Sequence, residues 1–487
     1  MTPYNICLGA YNAGNRNLSK EEVNQLASVE TAKMASNDQP DYICFSFQEA
    51  ANSWHGENLG KRIAKRLTKE KLEKRGLKGY TLVYNDSFRT MTKPFEIAKV
   101  GAVFLVRNDK LGEIAVDTKN SGYQRAIGNN NFNKGFVDIR VKMGSSYGSV
   151  ICGHADSADM EKRNQQRERA EQGFSNHNNN RDFIIYSGDI NERLNPSITL
   201  ADENQAAISE KLGTNYEVNN TIELNDFIDQ YIKNKFPTTT KVTIKGEEKY
   251  NQKEVLTNRE NSELHQLLIT YFCPLYNNKQ GYHDYQFGES DFLSYMKFDK
   301  NNRLKKSEDK DHPYKIGQFD NFGIRNKNTP AANKEAAGVT INDKSLKNKE
   351  IFKNKDQKNQ KSSSDHDEMT VTMTVTTKDT TPREKLTNKL ESLVLNKQFK
   401  LGIGGSSHKI NINGHDYEVP RRVKIIHLKL TEKEGDEYKH NDQEVNEIIN
   451  YYKNNASGYK NPDSLFGFGR TQSHTNTLIN QLDTLEA

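Results

Sequence analysis

The chain has 487 residues and a formal charge of +5, from 70 basic and 65 acidic side chains. This length exceeds what one ordinary core can organise, so we expect a large domain and a smaller one. The 4 cysteines show no disulfide framework and no zinc-ligand spacing, and no run of 18 apolar residues occurs, which argues against a transmembrane helix. We therefore expect a soluble protein of a reducing compartment.

The first 200 residues are predicted to form short strands separated by helices and loops. Residues 4–11 alternate apolar with other side chains through Ile6, Leu8 and Ala10, as a buried strand does. The capping-box pattern that begins at Ser19 predicts a helix. Further strands are predicted over 42–47, 80–84, 100–106, 135–141, 149–153 and 183–186.

The predicted large domain, 1–380, ends in an unusual composition. Residues 325–364 are rich in Lys and Asn and lack apolar periodicity, so we predict a mobile surface loop there. Met and Val then alternate with Thr over 369–376, the pattern of a half-buried strand that closes the domain.

A smaller module is predicted over 381–487. Thr381-Pro382-Arg383-Glu384 supplies an N-cap, a first-turn proline and a capping glutamate for a helix. Asn413-Gly414 is the dipeptide preferred in type I′ turns and predicts a hairpin of 408–412 with 415–419. We expect this module to position the large domain or to bind a partner.

Polar side chains follow several predicted strands. Asp189, Asn191 and Arg193 alternate after the strand at 183–186, so they share one side of an extended chain and could orient water and hold a phosphate. For this motif alone, a polar turn after a buried strand is the alternative interpretation. Asn12 and Gln48-Glu49 end two other strands and offer oxygen ligands suited to magnesium.

The order of these motifs resembles the endonuclease/exonuclease/phosphatase superfamily, and more narrowly the inositol polyphosphate 5-phosphatases, over roughly residues 4–377. Arg193 favours the 5-phosphatase branch over nucleases. The resemblance rests on eight segments in family order: Tyr11-Asn12-Ala13-Gly14-Asn15, Gln48-Glu49, Asn133-Lys134-Gly135, His154-Ala155 with Arg163-Asn164, Gly188-Asp189-Ile190-Asn191-Glu192-Arg193, Phe272-Cys273-Pro274-Leu275-Tyr276, Phe319-Asp320 and Ser364-Asp365-His366.

Two departures fall where substrate preference would be set. Asn277 stands where the family has a Lys, and Asn321 stands where it has an Arg. Two cations expected near the inositol phosphates are therefore missing, and position selectivity stays open.

The resemblance implies an α+β fold, a four-layered α/β sandwich of the DNase I-like kind. Two mixed sheets would pack face to face with helices outside, followed by a smaller C-terminal α+β module. The metal site would lie at one edge of the strands.

The resemblance also implies catalytic roles. Glu49 would bind Mg²⁺ with Asn12 and Asp365 nearby, and Asp189 would orient and deprotonate the attacking water. Donors to the phosphoryl group would be Asn191, His154 and His366, the last held by Asp320. Substrate phosphates would be bound by Lys134, Arg163, Asn164, Arg193 and Tyr276.

Structural roles are the alternative for several of these residues. His154 could be a hydrogen-bonded imidazole at a strand end, Asp365 a turn carboxylate, and Lys134 and Arg163 solvated surface cations.

The implied function is a Mg²⁺-dependent phosphomonoesterase that removes a phosphate, the 5-phosphate, from phosphoinositides or soluble inositol polyphosphates. A nuclease or sphingomyelinase-like phosphodiesterase of the same superfamily is one alternative, and an inactive phosphoinositide-binding module is another. An anionic membrane surface is a candidate partner, nucleic acid is not expected, and no obligate oligomer is evident. The Asn- and Lys-rich composition suggests a secreted bacterial effector acting in the host cytosol at membranes.

Overall fold

Two β-sheets form the centre of the large domain. They are seen in a computed structural model that describes residues 2–16, 18, 20–28, 39–50, 59–87, 90–93, 96–98, 100–125, 134–155, 160–172, 181–258, 261–273, 286–287, 289–290, 293, 295–307, 313–326, 338–341, 345–349, 368–377, 379–399, 408–454 and 478–485. Tyr276, Asp365 and His366 lie outside these ranges, and the side chains of Asn164 and Asp320 are not described.

The first sheet has eight strands in the described residues. β1 (Thr2–Arg16) pairs in parallel with β2 (Tyr42–Ala50) and antiparallel with β22 (Glu368–Thr377), so the sheet is mixed. Its strands are β1 Thr2–Arg16, β2 Tyr42–Ala50, β3 Tyr80–Ser87, β6 Gly101–Arg107, β17 Glu289–Ser290, β20 Gly338–Ile341, β21 Ser345–Lys349 and β22 Glu368–Thr377. The strand order is β17-β21-β22-β1-β2-β6-β3, with β20 also paired to β22.

The second sheet also has eight described strands and is mixed. β10 pairs in parallel with β11 and antiparallel with β9. Its strands are β7 Ile114–Val116, β8 Gly122–Arg125, β9 Gly135–Met143, β10 Ser146–His154, β11 Phe183–Arg193, β16 Gln286–Phe287, β18 Tyr295–Met296 and β19 Ile316–Asn326. The order is β16-β19-β11-β10-β9-β7, with β18 on β19 and β8 on β9.

Alternating side chains build two cores from each sheet. In β1, Ile6 and Leu8 enter the core between the sheets, whereas Cys7 and Tyr11 enter the core on the outer face. Each fully buried large apolar side chain of this kind stabilises the fold by roughly 1.5–3 kcal/mol. The apolar alternation of the sequence therefore specifies which face of each strand meets which layer.

Helices cover the outer face of each sheet. On the first sheet lie α1 Lys20–Leu26, α2 Leu59–Ala64 and α3 Lys69–Glu73. On the second lie α4 Met160–Gln172, α5 Asp202–Leu212, α6 Leu224–Lys235, α7 Gln252–Leu256 and α8 Ser262–Phe272. Helix, sheet, sheet and helix thus form four layers, and the predicted α+β sandwich is confirmed.

The smaller module contains α9 Pro382–Leu395, α10 Arg421–Thr431 and α11 Asp442–Asn454 around its own core. Thr381 and Glu384 form the predicted capping box, and the predicted hairpin is present with positive φ at Asn413 and Gly414. The remaining two-stranded pairs are β4 Thr90–Lys93 with β5 Glu96–Ala98, β12 Ser197–Thr199 with β13 Thr221–Glu223, β14 Lys241–Ile244 with β15 Glu247–Tyr250, β23 His408–Ile412 with β24 His415–Val419, and β25 Lys433–Glu434 with β26 Glu437–Tyr438.

The predicted loop 325–364 is structured in part, which corrects the expectation of a continuous loop. β20 and β21 lie within it and pair with β22. Val339 and Ile341 alternate with Thr340, a short strand pattern that the Lys- and Asn-rich surroundings mask. The rest of that segment lies outside the described residues.

The module packs against β7 of the second sheet. Ala115 of β7 belongs to the core of the module, and Asn396 Nδ2 donates to the carbonyl oxygens of Leu111, at 2.8 Å, and Ile114, at 2.7 Å. Lys142 Nζ, on β9, lies 2.9 Å from Glu391 Oε2. The two units therefore share a buried interface that contains charged groups.

The four cysteines are buried and none forms a disulfide. Among the helices described, none is long and apolar enough to cross a membrane.

Candidate active site

Strand alternation brings four polar residues into the gap between the sheets. Residues facing this gap are even-numbered in β1, β2 and β10 and odd-numbered in β11. Asn12, Gln48, His154 and Asp189 continue these series at the ends of their strands, and all four are at least 97% buried. Four separate strands thus deliver polar side chains to one edge of the sandwich.

Asp189 is held by donors on both carboxylate oxygens. Asn12 Nδ2 donates to Asp189 Oδ2 at 2.9 Å, and the backbone N–H of Asn191 donates to Oδ1 at 2.9 Å. Asn12 and Asp189 are thus joined by a direct hydrogen bond between the two sheets.

His154 lies between two carboxylates and a lysine. Its Nε2 is 3.3 Å from Asp189 Oδ2 and 3.8 Å from Glu49 Oε1. Lys134 Nζ also contacts Nε2, so this nitrogen faces the lysine as well as both carboxylates. Nδ1 is buried and has no hydrogen-bond partner among the described residues.

Two non-glycine residues of the site have a left-handed backbone. Glu49 has φ 51° and Asn191 has φ 53°. The left-handed turn at Glu49 interrupts the alternation of β2. The Glu49 side chain, although next in sequence to Gln48, therefore points toward His154. Backbone of this kind is costly for glutamate and is typical of functional sites.

Gly188 allows β11 to approach β10 closely beside the site. A Cβ at this position would lie 2.2 Å from the carbonyl oxygen of Gly153, and its φ is +134°. The pair Gly153–Gly188 directly precedes the register pair His154–Asp189. Glycine here therefore determines the spacing between the imidazole and the carboxylate.

The oxygen donors suit a hard divalent cation. Asn12 and Gln48 are register partners at the ends of parallel strands, and Glu49 follows directly. Gln48 Nε2 donates to Ser46 Oγ at 2.6 Å, whereas its Oε1 is buried without a partner among the described residues. In the described part of the chain, no group of three His, Cys, Asp or Glu residues has the arrangement to hold a metal ion by itself, and Asp365 lies outside the described residues. The fit to a cation rests on Glu49, Asn12 and the buried acceptor of Gln48.

Two predicted phosphate-binding arginines contact other groups. Arg163, on α4, is 1% exposed, and its Nε lies 3.9 Å from Glu192 Oε2, so the solvated-cation alternative does not describe it. Arg193 Nη1 donates to Ser307 Oγ. Because Arg163 lies on α4, its contact with Glu192 places that carboxylate on the helical side of the sheet.

Glu192 is a residue that sequence reasoning did not single out. Burial raises the pKa of its carboxyl, against the opposing effect of the Arg163 and Arg167 guanidiniums. The available signal was an acidic residue between Asn191 and Arg193, with Arg163 and Arg167 on the preceding helix.

For some predicted residues the structure describes only the surrounding backbone. Asp320 is the register partner of Asp189 in the adjacent strand, and Asn164 lies on α4. β22 pairs Met369 with Ala10, at the end of β1 that leads to Asn12. Positions 365 and 366 precede β22 in sequence.

Comparisons with known proteins were made for the sequence and for the structure. The family described as Endonuclease/Exonuclease/phosphatase family 2 matches residues 9–261. Comparison with curated protein sequences found no match.

Several solved structures are similar at low identity. The inositol polyphosphate 5-phosphatase domain of SPsynaptojanin, in complex with inositol (1,4)-bisphosphate and calcium, has TM-score 0.44 and 14% identity over 82% of this chain and 90% of that chain. A Cimex nitrophorin ferrous NO complex has TM-score 0.41 and 12% identity, covering 77% and 99%. D. rerio TDP2 complexed with single-strand DNA product has TM-score 0.31 and 11% identity, also covering 77% and 99%. Likenesses at these scores do not identify a function.

Proposed function

Because the chain belongs to the endonuclease/exonuclease/phosphatase family, we propose that it is a Mg²⁺-dependent phosphomonoesterase acting on phosphoinositides or soluble inositol polyphosphates. The observation that carries the proposal is the cluster of the buried Asn12, Lys134, His154 and Asp189 with the partly exposed Glu49 at one edge of the sandwich. It combines an oriented carboxylate, an imidazole and a cation in one gap.

The roles follow from the contacts. Asp189 has both oxygens positioned by donors, which suits a base that orients and deprotonates water for in-line attack. Lys134 and the imidazole of His154 are placed to donate to phosphoryl oxygens, and a bound phosphate would replace their mutual contact. Asp189 and His154 lie 3.3 Å apart, close enough to act on one phosphoryl group.

A metal would be held by Glu49, Asn12 and Asp365 in this proposal. When bound, a divalent cation polarises the phosphoryl group and neutralises its charge. The carboxylate and amide oxygens of Glu49 and Asn12 are ligands of the type that Mg²⁺ prefers.

The narrower assignment to inositol phosphates, and to the 5-phosphate, is supported by the family-like order of the motifs. Lys134 is in the cluster, which supports its proposed role at a substrate phosphate. Roles for His366, Asp320, Asn164, Arg193 and Tyr276 remain part of the same proposal.

The test is phosphate release across soluble inositol phosphates and phosphoinositide vesicles, with plasmid DNA and sphingomyelin as competing substrates. We expect release from the inositol substrates, and its abolition by EDTA with recovery on adding Mg²⁺. Cleavage of plasmid or sphingomyelin alone would replace the phosphomonoesterase assignment with a phosphodiesterase. Vesicle binding without any turnover would indicate an inactive binding module.

Variants test the residues. Asp189→Asn, His154→Gln and His366→Ala should each lower turnover by roughly 10²-fold or more, the scale of a lost acid–base or electrostatic contribution. Asp436→Asn, an exposed carboxylate of the small module, is the matched control and should leave turnover unchanged. Full activity in folded Asp189→Asn protein would overturn the assigned base.

A further inference from the structure

A second concave site lies on the helices that cover the first sheet. A cavity of about 410 Å³ is lined by Lys20, Val23, Arg62, Lys65, Arg66 and Lys71. Five of these six side chains are cationic, and none of the six belongs to the cluster around Asp189. Cavities of this size accommodate small molecules.

Four of the five cations of this basic pocket have no acidic partner among the residues that the structure describes. Within the described part of the chain, no carboxylate forms an ion pair with Lys20, Arg62, Arg66 or Lys71. Arg62 and Arg66 are also four residues apart on one helical segment, a spacing at which like charges repel. The pocket therefore concentrates cations at a cost to folding.

Helix ends do not explain this arrangement. Cations at 65 and 66 suit the C-terminal end of α2, but Lys20 is the first residue of α1, where the helix dipole disfavours a cation. Lys71 comes from a third helix, α3. Cations from three separate helices converge on one cavity.

Backbone contacts orient two of the cations. Arg62 donates through Nη1 and Nη2 to the carbonyl oxygen of Leu18, both at 3.3 Å, and Lys71 Nζ donates to the carbonyl oxygen of Lys65 at 2.8 Å. Val23 is buried and forms an apolar wall. These contacts orient one guanidinium and one ammonium group of the pocket.

We propose that this basic pocket binds a compact anion with at least two phosphate groups, as a lipid headgroup or as a soluble polyphosphate. Guanidinium and ammonium groups together match several phosphates, and concavity favours a compact anion over an extended polymer. Binding here is separate from turnover and does not rest on the proposed function.

The test uses the full chain and inositol hexakisphosphate in titration calorimetry. The double variant Lys20→Glu/Arg66→Glu should lose one binding event or weaken it by roughly tenfold or more. Lys74→Glu/Arg75→Glu is the matched control, since both residues are exposed, lie just after α3 and carry the same charge change without lining the pocket. The control should bind as the parent does.

A Lys134→Gln variant separates the pocket from the active site. The binding event assigned to the pocket should persist in this variant. If the Lys134 variant loses that binding event and the Lys20/Arg66 variant keeps it, the proposal is overturned. Equal weakening in the Lys74/Arg75 control would also overturn it, because the effect would then be general electrostatics. The milder Lys20→Gln/Arg66→Gln, with melting curves for all variants, guards against misfolding.

Vesicles identify the source of the anion. Phosphatidylcholine vesicles containing phosphatidylinositol bisphosphate are compared with phosphatidylserine vesicles of matched charge. If the pocket variant no longer binds the phosphatidylinositol bisphosphate vesicles but still binds the phosphatidylserine vesicles, the ligand is a lipid headgroup. If the variant loses only the binding measured by calorimetry, the ligand is a soluble polyphosphate. Unchanged behaviour in both assays would overturn the site.

Discussion

At the scale of single residues, the site depends on a few positions where the backbone departs from regular extended structure. Glu49 and Asn191 have positive φ, and Gly188 permits the approach of β11 to β10. These residues determine where Asp189 and His154 meet, although Gly188 can take no part in the chemistry.

Gly188→Ala should therefore impair the enzyme without removing any polar group. The new Cβ would meet the Gly153 carbonyl oxygen, and the backbone conformation is strained for alanine, which together should destabilise the protein by roughly 1–3 kcal/mol. Turnover should fall as the Asp189–His154 spacing changes. Melting temperature and turnover are compared with Gly122→Ala, whose Cβ would meet nothing within 4 Å. A Gly188→Ala protein equal to that control would contradict the role.

At the scale of elements, β11 carries functional groups on one face and an anchor on the other. Asp189 and Asn191 meet the site, whereas Glu192 meets Arg163 of α4. The buried ion pair connects the end of β11 to the helical layer. Arg163 is thus better explained as a positioning residue than as a substrate ligand.

Arg163→Leu should destabilise the protein by roughly 3–5 kcal/mol at neutral pH, because it removes the nearest cation from the buried Glu192 carboxylate. The pKa of Glu192 is raised by burial, so the folded state binds its proton more tightly than the unfolded state. The stability that Glu192 contributes is greatest at pH values below the ordinary glutamate pKa of 4.5 and is lost as pH rises through the folded-state pKa.

The stability deficit of Arg163→Leu should accordingly shrink on acidification, and Arg163→Leu/Glu192→Leu should recover part of it. Chemical denaturation across pH provides the measurement. Arg169→Leu, exposed on the same helix, is the control. A raised KM with unchanged stability would instead support substrate binding by Arg163.

At the scale of the whole molecule, the small module is joined to the sandwich by a buried charged contact. Burial alone would raise the pKa of Glu391, but Lys142 at 2.9 Å and His427 at 3.4 Å outweigh it and lower that pKa. The pKa of Lys142 is also lowered, in this case by burial. A lowered pKa means a less stable charged form for a lysine but a more stable charged form for a carboxyl, so the shifts of Lys142 and Glu391 have opposite effects on stability. The short distance between Lys142 and Glu391 favours the charged form of both groups. The lowered pKa of Glu391 therefore describes the interface at neutral pH.

Glu391→Gln should cost on the order of 3 kcal/mol at neutral pH, since Lys142 would remain buried without its counter-charge. A lowered carboxyl pKa contributes stability at pH values above the ordinary glutamate pKa of 4.5, and this stability is lost as pH falls through the folded-state pKa. The difference between parent and variant should therefore vanish at acid pH. Glu418→Gln, an exposed residue of the same module, should show no such pH dependence.

Residues 1–380 expressed alone should retain turnover on a short soluble inositol phosphate but melt at lower temperature than the full chain. The residues proposed to be catalytic end at His366, whereas removing the module exposes Ala115 and leaves Lys142 without Glu391. Turnover and melting temperature of the two chains are compared. Loss of turnover in a folded fragment would mean that the module supplies catalytic or substrate-binding groups; loss confined to vesicles would support a positioning role.

Local patterns alone determined much of the architecture. The alternation over 4–11 and 369–376, the Thr381 capping box and the Asn413-Gly414 turn each depend on a few neighbouring residues, whose conformational preferences are expressed before any tertiary contact. The motif order was sufficient to identify the family and the residues of the cluster around Asp189.

Only the tertiary structure decided which groups meet. Asn12 and Asp189 are 177 positions apart and form a hydrogen bond because two different sheets pack face to face. Packing likewise pairs Arg163 with Glu192, buries Lys142 against Glu391, and assembles the basic pocket from three helices. A sequence pattern specifies the face on which a side chain lies, but its partner depends on the packing of distant elements, which no local preference encodes.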